Sequence, residues 1–273
     1  MLDKTFELID KFQPVAIHIP IDKAKMEEVV ETIFSQMFPF DEKLKIGEIH
    51  YKLKKCVTDL VAGIAKLTSQ EFAEKAIYQF FESFSDIQDR LYKDAACYLK
   101  NDPAAKSIEE VIIAYPGFFA LAVYRIAHQL CLLEVPLIPR LFAEYAHAKV
   151  GIDIHPAAKI GKNLFMDHGT GIVIGETSVI GDHVKMYQGV TLGALYVEKK
   201  LSNTKRHPTI EDNVVIYSNA TILGGETVIG HNSTIGGGAW ITQSVIPYSL
   251  VYNSVDVKIK TVRDFVQPND FII

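Results

Sequence analysis

The chain has 273 residues, of which 48% are hydrophobic, and a formal net charge of −5. This length suffices for one large core or two domains, and without a basic block the composition argues against a nucleic-acid-binding surface. Its three cysteines are odd in number, widely spaced and free of any CxxC pattern, which favours a reducing compartment, the cytoplasm, over a disulfide framework. The first residues lack an apolar run, so no secretory signal is expected.

Residues 1–149 are predicted to form an α-helical domain. Apolar residues recur at helical spacing in three stripes, which run from Met26 to Met37, from Leu53 to Leu67 and from Ile77 to Ile87. The most apolar segment, VIIAYPGFFALAVYRIAHQL at 111–130, is interrupted by proline, glycine and arginine. A membrane span needs about 20 uninterrupted apolar residues, so this segment is predicted to be a buried helix, and no membrane contact is expected.

Residues 150–253 follow a different period, with an aliphatic residue at every sixth position. Such a hexapeptide repeat is typical of a β-helix solenoid, in which each hexad forms one flat side and three sides complete a turn. The predicted fold class is therefore α+β, a helical N-terminal domain followed by a left-handed parallel β-helix, with residues 254–273 as a C-terminal tail. The repeat positions are Ile154, Ile160, Met166, Ile174, Ile180, Met186, Leu192, Ile210, Ile216, Ile222, Ile229, Ile235 and Ile241.

Glycine often follows the aliphatic residue of a hexad, as in Ile160-Gly161 and Ile180-Gly181. Glycine adopts backbone conformations that a Cβ atom penalises. These glycines are therefore predicted to provide the special backbone conformation of the solenoid corners.

Two interruptions of the repeat are the predicted functional regions. The first is Asp167-His168-Gly169-Thr170-Gly171, where the frame slips by two residues and the glycines should allow a bulge that turns His168 outward. The second is a polar stretch at 193–207, predicted to protrude as a loop and ending in Arg206-His207. A solenoid surface is otherwise regular, so function is expected where the frame breaks.

An acid–base pair is predicted from Asp153 and His168. Asp153 precedes His168 by fifteen residues, close to the roughly eighteen of one solenoid turn, so the two can lie on neighbouring turns. A carboxylate on one imidazole nitrogen fixes the tautomer and leaves the other nitrogen free to take a proton from a hydroxyl. The planar guanidinium of Arg206 suits a substrate carboxylate.

Two other chemistries are disfavoured by the sequence. The γ-class carbonic anhydrases, which are also trimeric β-helices, bind zinc through histidines of which two are five residues apart, and no histidine pair of this solenoid has that spacing. No metal site is therefore expected. A covalent nucleophile is also unsupported, because the solenoid contains neither a G-x-S-x-G motif nor a cysteine.

Several motifs together resemble the serine O-acetyltransferases. These are NDPA, YPGFFALAVYRIAHQL, DIHPAAKIG, DHGTGIVIGET, QGVTLG and RHPTI, between about Asn101 and Pro247. The resemblance implies acetyl transfer from acetyl-CoA, a co-substrate and not a resident cofactor, to the hydroxyl of L-serine in cysteine biosynthesis. It implies the following roles: His168 as general base, Asp153 as its partner, Asp102 and Asp167 at the serine ammonium, Arg206 and His207 at the serine carboxylate.

The acetyl-CoA groove departs from the family's pattern. The resemblance implies contacts at Gly193, Ala194, Ala220 and Gly238, but the loop after TLG is longer than usual, and NSVDVKIK from Asn253 replaces the family's GVPAR. A hexapeptide acyltransferase with another hydroxyl or amine acceptor, or a weakly catalytic scaffold for a partner enzyme, therefore remains an alternative.

The resemblance also implies an assembly and a partner. A homotrimer with active sites shared between chains, paired into a dimer of trimers by the helical domain, is expected. The terminal Ile273 resembles the residue through which family members enter O-acetylserine sulfhydrylase, although the apolar tail could instead cap the solenoid. L-Cysteine, which shares the ammonium and carboxylate of serine, is expected to inhibit.

Overall fold

A computed structural model describes residues 1–15, 19–40, 45–196 and 204–254. In this part of the chain, eight helices precede a parallel β-solenoid of three sheets, and this arrangement confirms the predicted fold class. The helices are α1 (Leu2–Asp10), α2 (Lys23–Met37), α3 (Ile46–Ala65), α4 (Gln70–Glu82), α5 (Phe84–Asn101), α6 (Ile108–Ala114), α7 (Pro116–Leu132) and α8 (Ile138–Val150).

Local sequence signals explain where several helices begin and end. Ser69 and Ser107 precede α4 and α6, and each accepts a hydrogen bond from the main-chain N–H three residues later, which satisfies one of the free donors of the first turn. Gly151 ends α8 in the left-handed conformation. The third apolar stripe of the sequence is divided between α4 and α5, because the chain breaks at Ser83.

The apolar segment 111–130 forms α6 and α7, which are bent by 77° at the break before Pro116. Most of α7 is buried, including Phe118, Leu121 and Tyr124, so the prediction of a buried helix is confirmed. Among the described residues no single helix is long and apolar enough to cross a membrane, whereas the bent pair α6 and α7 passes that test on length and composition.

The solenoid is built from short strands that pair only in parallel. Sheet A contains β1, β4, β7, β10 and β13; sheet B contains β2, β5, β8 and β11; sheet C contains β3, β6, β9, β12 and β14. The strands are β1 (Asp153–Ile154), β2 (Lys159–Ile160), β3 (Phe165–Asp167), β4 (Val173–Ile174), β5 (Val179–Ile180), β6 (Lys185–Tyr187), β7 (Thr191–Gly193), β8 (Thr209–Ile210), β9 (Val215–Ile216), β10 (Thr221–Leu223), β11 (Val228–Ile229), β12 (Thr234–Ile235), β13 (Trp240–Ile241) and β14 (Leu250–Val251).

The repeat aliphatics stack inside this prism in the predicted frame. Ile154 lies in register with Ile174, and Ile174 with Leu192, so the turn that contains the DHGTG segment is two residues longer than the next. All three side chains are buried. The frame slip read from the sequence is therefore confirmed as an enlarged corner.

The reason given for the glycines that follow the aliphatics is wrong. Gly161 and Gly181 do not have positive φ. The left-handed residues between sheets B and C are instead Asn163, His183, Asn213 and Asn232, at 58°, 60°, 58° and 58°. A Cβ on Gly161 would lie 2.6 Å from the carbonyl oxygen of Gly181 in the next turn. These glycines are needed because neighbouring turns approach closely, and not for their dihedral freedom.

A buried ion pair joins the helices to the first solenoid turn. Asp94 on α5 accepts hydrogen bonds from Arg125 Nε at 2.6 Å and from Arg125 Nη2 at 3.1 Å. The solenoid supplies the remaining partners, because Asn163 N–H donates to Asp94 and Arg125 donates to the Gly161 carbonyl, both at 2.9 Å. Both buried charges are thus hydrogen-bonded, as buried charges require, and α5 is fixed to the corner between sheets B and C that contains Gly161 and Asn163.

Candidate active site

The DHGTG segment forms the enlarged corner between sheets C and A, here called the C–A corner (167–171). The chain leaves β3 at Asp167 and turns through three left-handed residues, His168, Gly169 and Gly171, with φ of 55°, 81° and 82°. A Cβ on Gly169 would approach Ile152 Cδ1 of the preceding turn to 2.5 Å. The predicted need for permissive backbone at these glycines is confirmed, and His168 itself also adopts this unusual conformation.

His168 projects from the C–A corner into solvent. Its side chain is 73% exposed, and its Nε2 lies 3.8 Å from Asp167 Oδ1. Asp153 begins β1 on the preceding turn, in register with Val173, and its N–H donates to the Ile172 carbonyl at 2.9 Å. Asp153 and the C–A corner therefore lie on neighbouring turns, as predicted. Within the described residues, however, no ion pair between His168 and Asp153 occurs. Their pairing stays a prediction.

Asp102 approaches the C–A corner from the end of α5. Its Oδ2 accepts a hydrogen bond from the Tyr115 hydroxyl at 2.6 Å, and its Oδ1 accepts one from Ala104 N–H at 2.8 Å. These bonds stabilise the carboxylate and lower the pKa of Asp102, with a smaller contribution from His168. The same bond raises the pKa of Tyr115 to about 12. An ionised carboxylate is thus held beside His168 and Asp167.

Arg206 and His207 lie at a different place, the corner between sheets A and B that follows β4, here called the A–B corner (175–177 with 205–207). Arg206 forms an ion pair with Glu176. The His207 side chain packs over Gly175, and its Nδ1 is 3.1 Å from Thr177 N and 2.9 Å from Thr177 Oγ1. Burial, followed by the charge of Arg206, lowers the pKa of His207 to about 4, so this imidazole is neutral near pH 7.

The four glycine and alanine positions implied for acetyl-CoA are divided between the two corners. Gly193 ends β7 and Ala194 follows it toward the A–B corner, and both are partly exposed. Gly238 is exposed at the C–A side, with φ of 66°. Ala220 lies on that side as well, but its side chain is fully buried inside the solenoid. The loop at 193–207 lies partly outside the described residues. The tail after 254, including Ile273, lies wholly outside them.

One chain therefore brings together two separate groups of predicted site residues. The first group contains Asp102, Asp153, Asp167 and His168 around the C–A corner, and the second contains Arg206 and His207 at the A–B corner. Glu176, the partner of Arg206, lies three positions after Val173, the partner of Asp153. At a rise of at most about 3.3 Å per residue their backbones are up to about 10 Å apart, whereas one amino acid spans less than about 4 Å.

Sequence reasoning missed three residues of these groups, Tyr115, Glu176 and Thr177. Tyr115 was visible as the residue before Pro116, but nothing in the sequence indicated its bond to Asp102, thirteen positions earlier. Glu176 and Thr177 follow a strand and resemble ordinary turn residues, and their partners are about thirty positions away. Among the described residues, no group of three or more histidine, cysteine or acidic side chains is arranged to bind a metal ion.

Comparisons with known proteins agree with this fold, although no family model matches the chain. A serine acetyltransferase of Synechococcus elongatus is 47% identical over 64% of the chain and 56% of its own length. One from Staphylococcus aureus is 45% identical over 59% of the chain and 74% of its own length. The solved structure of Entamoeba histolytica serine acetyltransferase isoform 3 in complex with cysteine has a TM-score of 0.78 and 34% identity, and the match covers 92% of the chain and 87% of that protein.

The parallel β-solenoid of hexapeptide repeats, with a histidine exposed at an enlarged corner, defines the class of hexapeptide-repeat acyltransferases. Within this class, the chain belongs to the serine acetyltransferase family. It spans about half the length of the first of the curated relatives, 56% of the S. elongatus protein.

Proposed function

We propose that this chain transfers an acetyl group from acetyl-CoA to the hydroxyl of L-serine, which yields O-acetyl-L-serine and CoA in cysteine biosynthesis. The observation that carries the proposal is the charge pattern of the two groups of site residues. Asp102 and Asp167 present negative charge, whereas Arg206 and the neutral His207 present hydrogen-bond donors. A zwitterion with an ammonium at one end and a carboxylate at the other matches these groups.

His168 is the proposed general base. Its exposed imidazole takes the proton of the serine hydroxyl as the oxygen attacks the thioester carbon. When the carbon–sulfur bond breaks, the imidazolium returns this proton to the departing thiolate of CoA. Asp153, on the adjacent turn, is proposed to hold the other ring nitrogen once substrate and neighbouring chain are in place.

The separation of the two groups supports an active site formed by two chains. The two corners of one solenoid are separated by up to about 10 Å of backbone, which is more than a single serine spans. In a cyclic homotrimer, the C–A corner of one chain can face the A–B corner of the next, which repeats the same composite site three times. We expect Gly193 and Ala194 of one chain and Gly238 of the next to flank acetyl-CoA in this groove.

Two ligands beyond the substrates follow from this site. L-Cysteine carries the same ammonium and carboxylate as L-serine, so competitive inhibition is expected, and the E. histolytica relative was solved in complex with cysteine. Binding of O-acetylserine sulfhydrylase through Ile273 remains a prediction outside the described residues.

The test is a CoA-release assay with L-serine and a panel of other hydroxyl and amine acceptors, including serine methyl ester. The proposal predicts that L-serine is the best acceptor and that the ester, which lacks the carboxylate, is poor. Equal use of the ester and the free acid would contradict a carboxylate-binding site, and preference for another acceptor would contradict the proposed reaction.

A further inference from the structure

Thr177 connects the two segments of the A–B corner, because it bonds to both Arg206 and His207. Its hydroxyl oxygen accepts hydrogen bonds from the main-chain N–H of Arg206 at 2.9 Å and from that of His207 at 3.0 Å. The same oxygen lies 2.9 Å from His207 Nδ1. One side chain therefore fixes the backbone of two consecutive residues and the ring of the second.

The direction of these bonds sets the proton positions on the His207 ring. The Thr177 oxygen already accepts two N–H groups, so its own hydrogen is directed to His207 Nδ1. The main-chain N–H of Thr177 also donates to Nδ1, at 3.1 Å. A nitrogen that accepts two hydrogen bonds carries no proton, so the neutral ring bears its hydrogen on Nε2.

Nε2 is the free donor of this arrangement. Within the described residues it has no hydrogen-bond partner, and it does not belong to the fully buried polar atoms that lack one. We infer that this N–H is available to a ligand, although the ring packs over Gly175 and the His207 residue as a whole is only 8% exposed.

Glycines on two solenoid turns provide the space for the segment 205–207. A Cβ on Gly175 would overlap the His207 ring, and a Cβ on Gly225 would overlap the Lys205 carbonyl. The Lys205 ammonium donates to the Thr177 carbonyl at 3.0 Å, which ties the segment to the same corner again. The segment is thus seated between two turns, with Thr177 as its main polar attachment.

We propose that Thr177 is the positioning residue of the A–B corner: it holds the Arg206 backbone and the Nε2–H form of His207 so that both present donors to the α-carboxylate of an amino-acid substrate. This inference rests on the proposed function for the identity of the ligand. Thr177 acts through Arg206 and His207, so its loss affects the binding of the carboxylate end and leaves the chemistry at His168 intact.

Kinetics of three variants test the proposal. Thr177→Val keeps the shape of the side chain but removes three hydrogen bonds, and we expect the KM for L-serine to rise about tenfold. The KM for acetyl-CoA and kcat should change less than about twofold, because the acetyl-transfer end is not attached to Thr177. Thr177→Ser, which keeps the hydroxyl, should restore the serine KM to within about threefold of wild type. The matched control is Thr234→Val on β12 of sheet C, which should leave all constants unchanged.

An unchanged serine KM in Thr177→Val, or equal losses for both substrates, would overturn the proposal. A measurement on wild type decides the matter if Thr177→Val does not fold. Ring ¹⁵N NMR should show His207 as the Nε2–H tautomer, without titration between pH 5 and 8. A His207 ring protonated on Nδ1, or one that titrates near pH 6.5, would refute the proposed attachment. If wild type does not acetylate serine at all, the proposed function fails, and the NMR result still decides the role of Thr177.

Discussion

The two corners of the solenoid differ in how firmly their functional side chains are held. At the A–B corner, the His207 ring is bonded at Nδ1 and buried over a glycine, and Arg206 is paired with Glu176. At the C–A corner, His168 is 73% exposed, and its Nε2 is 3.8 Å from Asp167, beyond a normal hydrogen bond. Contacts within one chain thus orient the residues proposed to bind the carboxylate. The same chain does not hold the proposed base, His168, in one orientation.

This difference is consistent with the proposal that a second chain completes the site. A general base needs a fixed orientation to act efficiently, and the single chain gives His168 little support. The backbone of the A–B corner lies up to about 10 Å from that of Asp153. The comparison thus favours a base that is completed by substrate and by the preformed corner of a second chain.

The largest expected effect is the loss of kcat on substitution of His168 at the C–A corner. His168→Ala should lower kcat by at least about a hundredfold, because it removes the general base, while the acetyl-CoA dissociation constant changes little. Asp153→Asn should be milder, since it misorients the imidazole without removing it. Steady-state kinetics and calorimetry with acetyl-CoA measure these effects. Near-normal turnover of the His168 variant at neutral pH would show that the base lies elsewhere.

Loss of the guanidinium at the A–B corner should instead act on substrate binding. Arg206→Ala should raise the KM for L-serine by about ten- to a hundredfold, as expected for one charge-assisted bond, with the KM for acetyl-CoA nearly unchanged. Arg90→Ala, which removes an exposed arginine of α5, is the matched control. A loss confined to kcat would place Arg206 with the chemistry and not with the carboxylate.

The buried His207 should make folding sensitive to acid. Its pKa is lowered to about 4 in the folded chain and is about 6.5 when unfolded, so on acidification the unfolded state binds the proton first. Stability is therefore lost as pH falls from about 6.5 toward 4, by about 2 kcal/mol between pH 7 and 5. Denaturant unfolding of wild type and His207→Gln at both pH values isolates this contribution. Equal pH dependence in both proteins would show that His207 is not held neutral.

A smaller effect is expected at the ammonium side. Tyr115→Phe removes the 2.6 Å bond to Asp102, so the pKa of Asp102 should rise toward its ordinary value while the carboxylate stays ionised at neutral pH. The serine KM should increase only about threefold, the cost of one oriented hydrogen bond. Tyr78→Phe on α4 serves as the control. An effect as large as that of Arg206→Ala would mean that Tyr115 contacts the substrate directly.

The sequence predicted the solenoid well because its information is periodic. An aliphatic residue at every sixth position marks the buried positions, and these predict the register of the strands. The extra residues at 167–171 shift every later position of the repeat, and this shift predicts the enlarged corner. The pattern also located Asp153, Asp167 and His168 near one another, since neighbouring turns repeat at about one interval.

Contacts that cross an insertion could not be predicted in this way. Thr177 reaches Arg206 and His207 across the loop at 193–207, so no repeat interval relates them. Gly161 was assigned the wrong role, because a one-dimensional pattern shows that glycine recurs but not whether a dihedral angle or a neighbouring turn requires it. The Tyr115–Asp102 bond depends on the 77° bend between α6 and α7, which the sequence marks only by Pro116.

The central claim, that the C–A corner of one chain works with the A–B corner of another, is tested most directly by mixing two variants that are each impaired at one corner. His168→Ala and Arg206→Ala are co-expressed with different tags, mixed oligomers are purified, and turnover is measured at low L-serine. If each site takes His168 from one chain and Arg206 from its neighbour, every purified mixed cyclic trimer has one intact site of three. Recovery to about a third of wild-type activity is therefore predicted. Activity no higher than that of the two parent variants would contradict a site shared between chains.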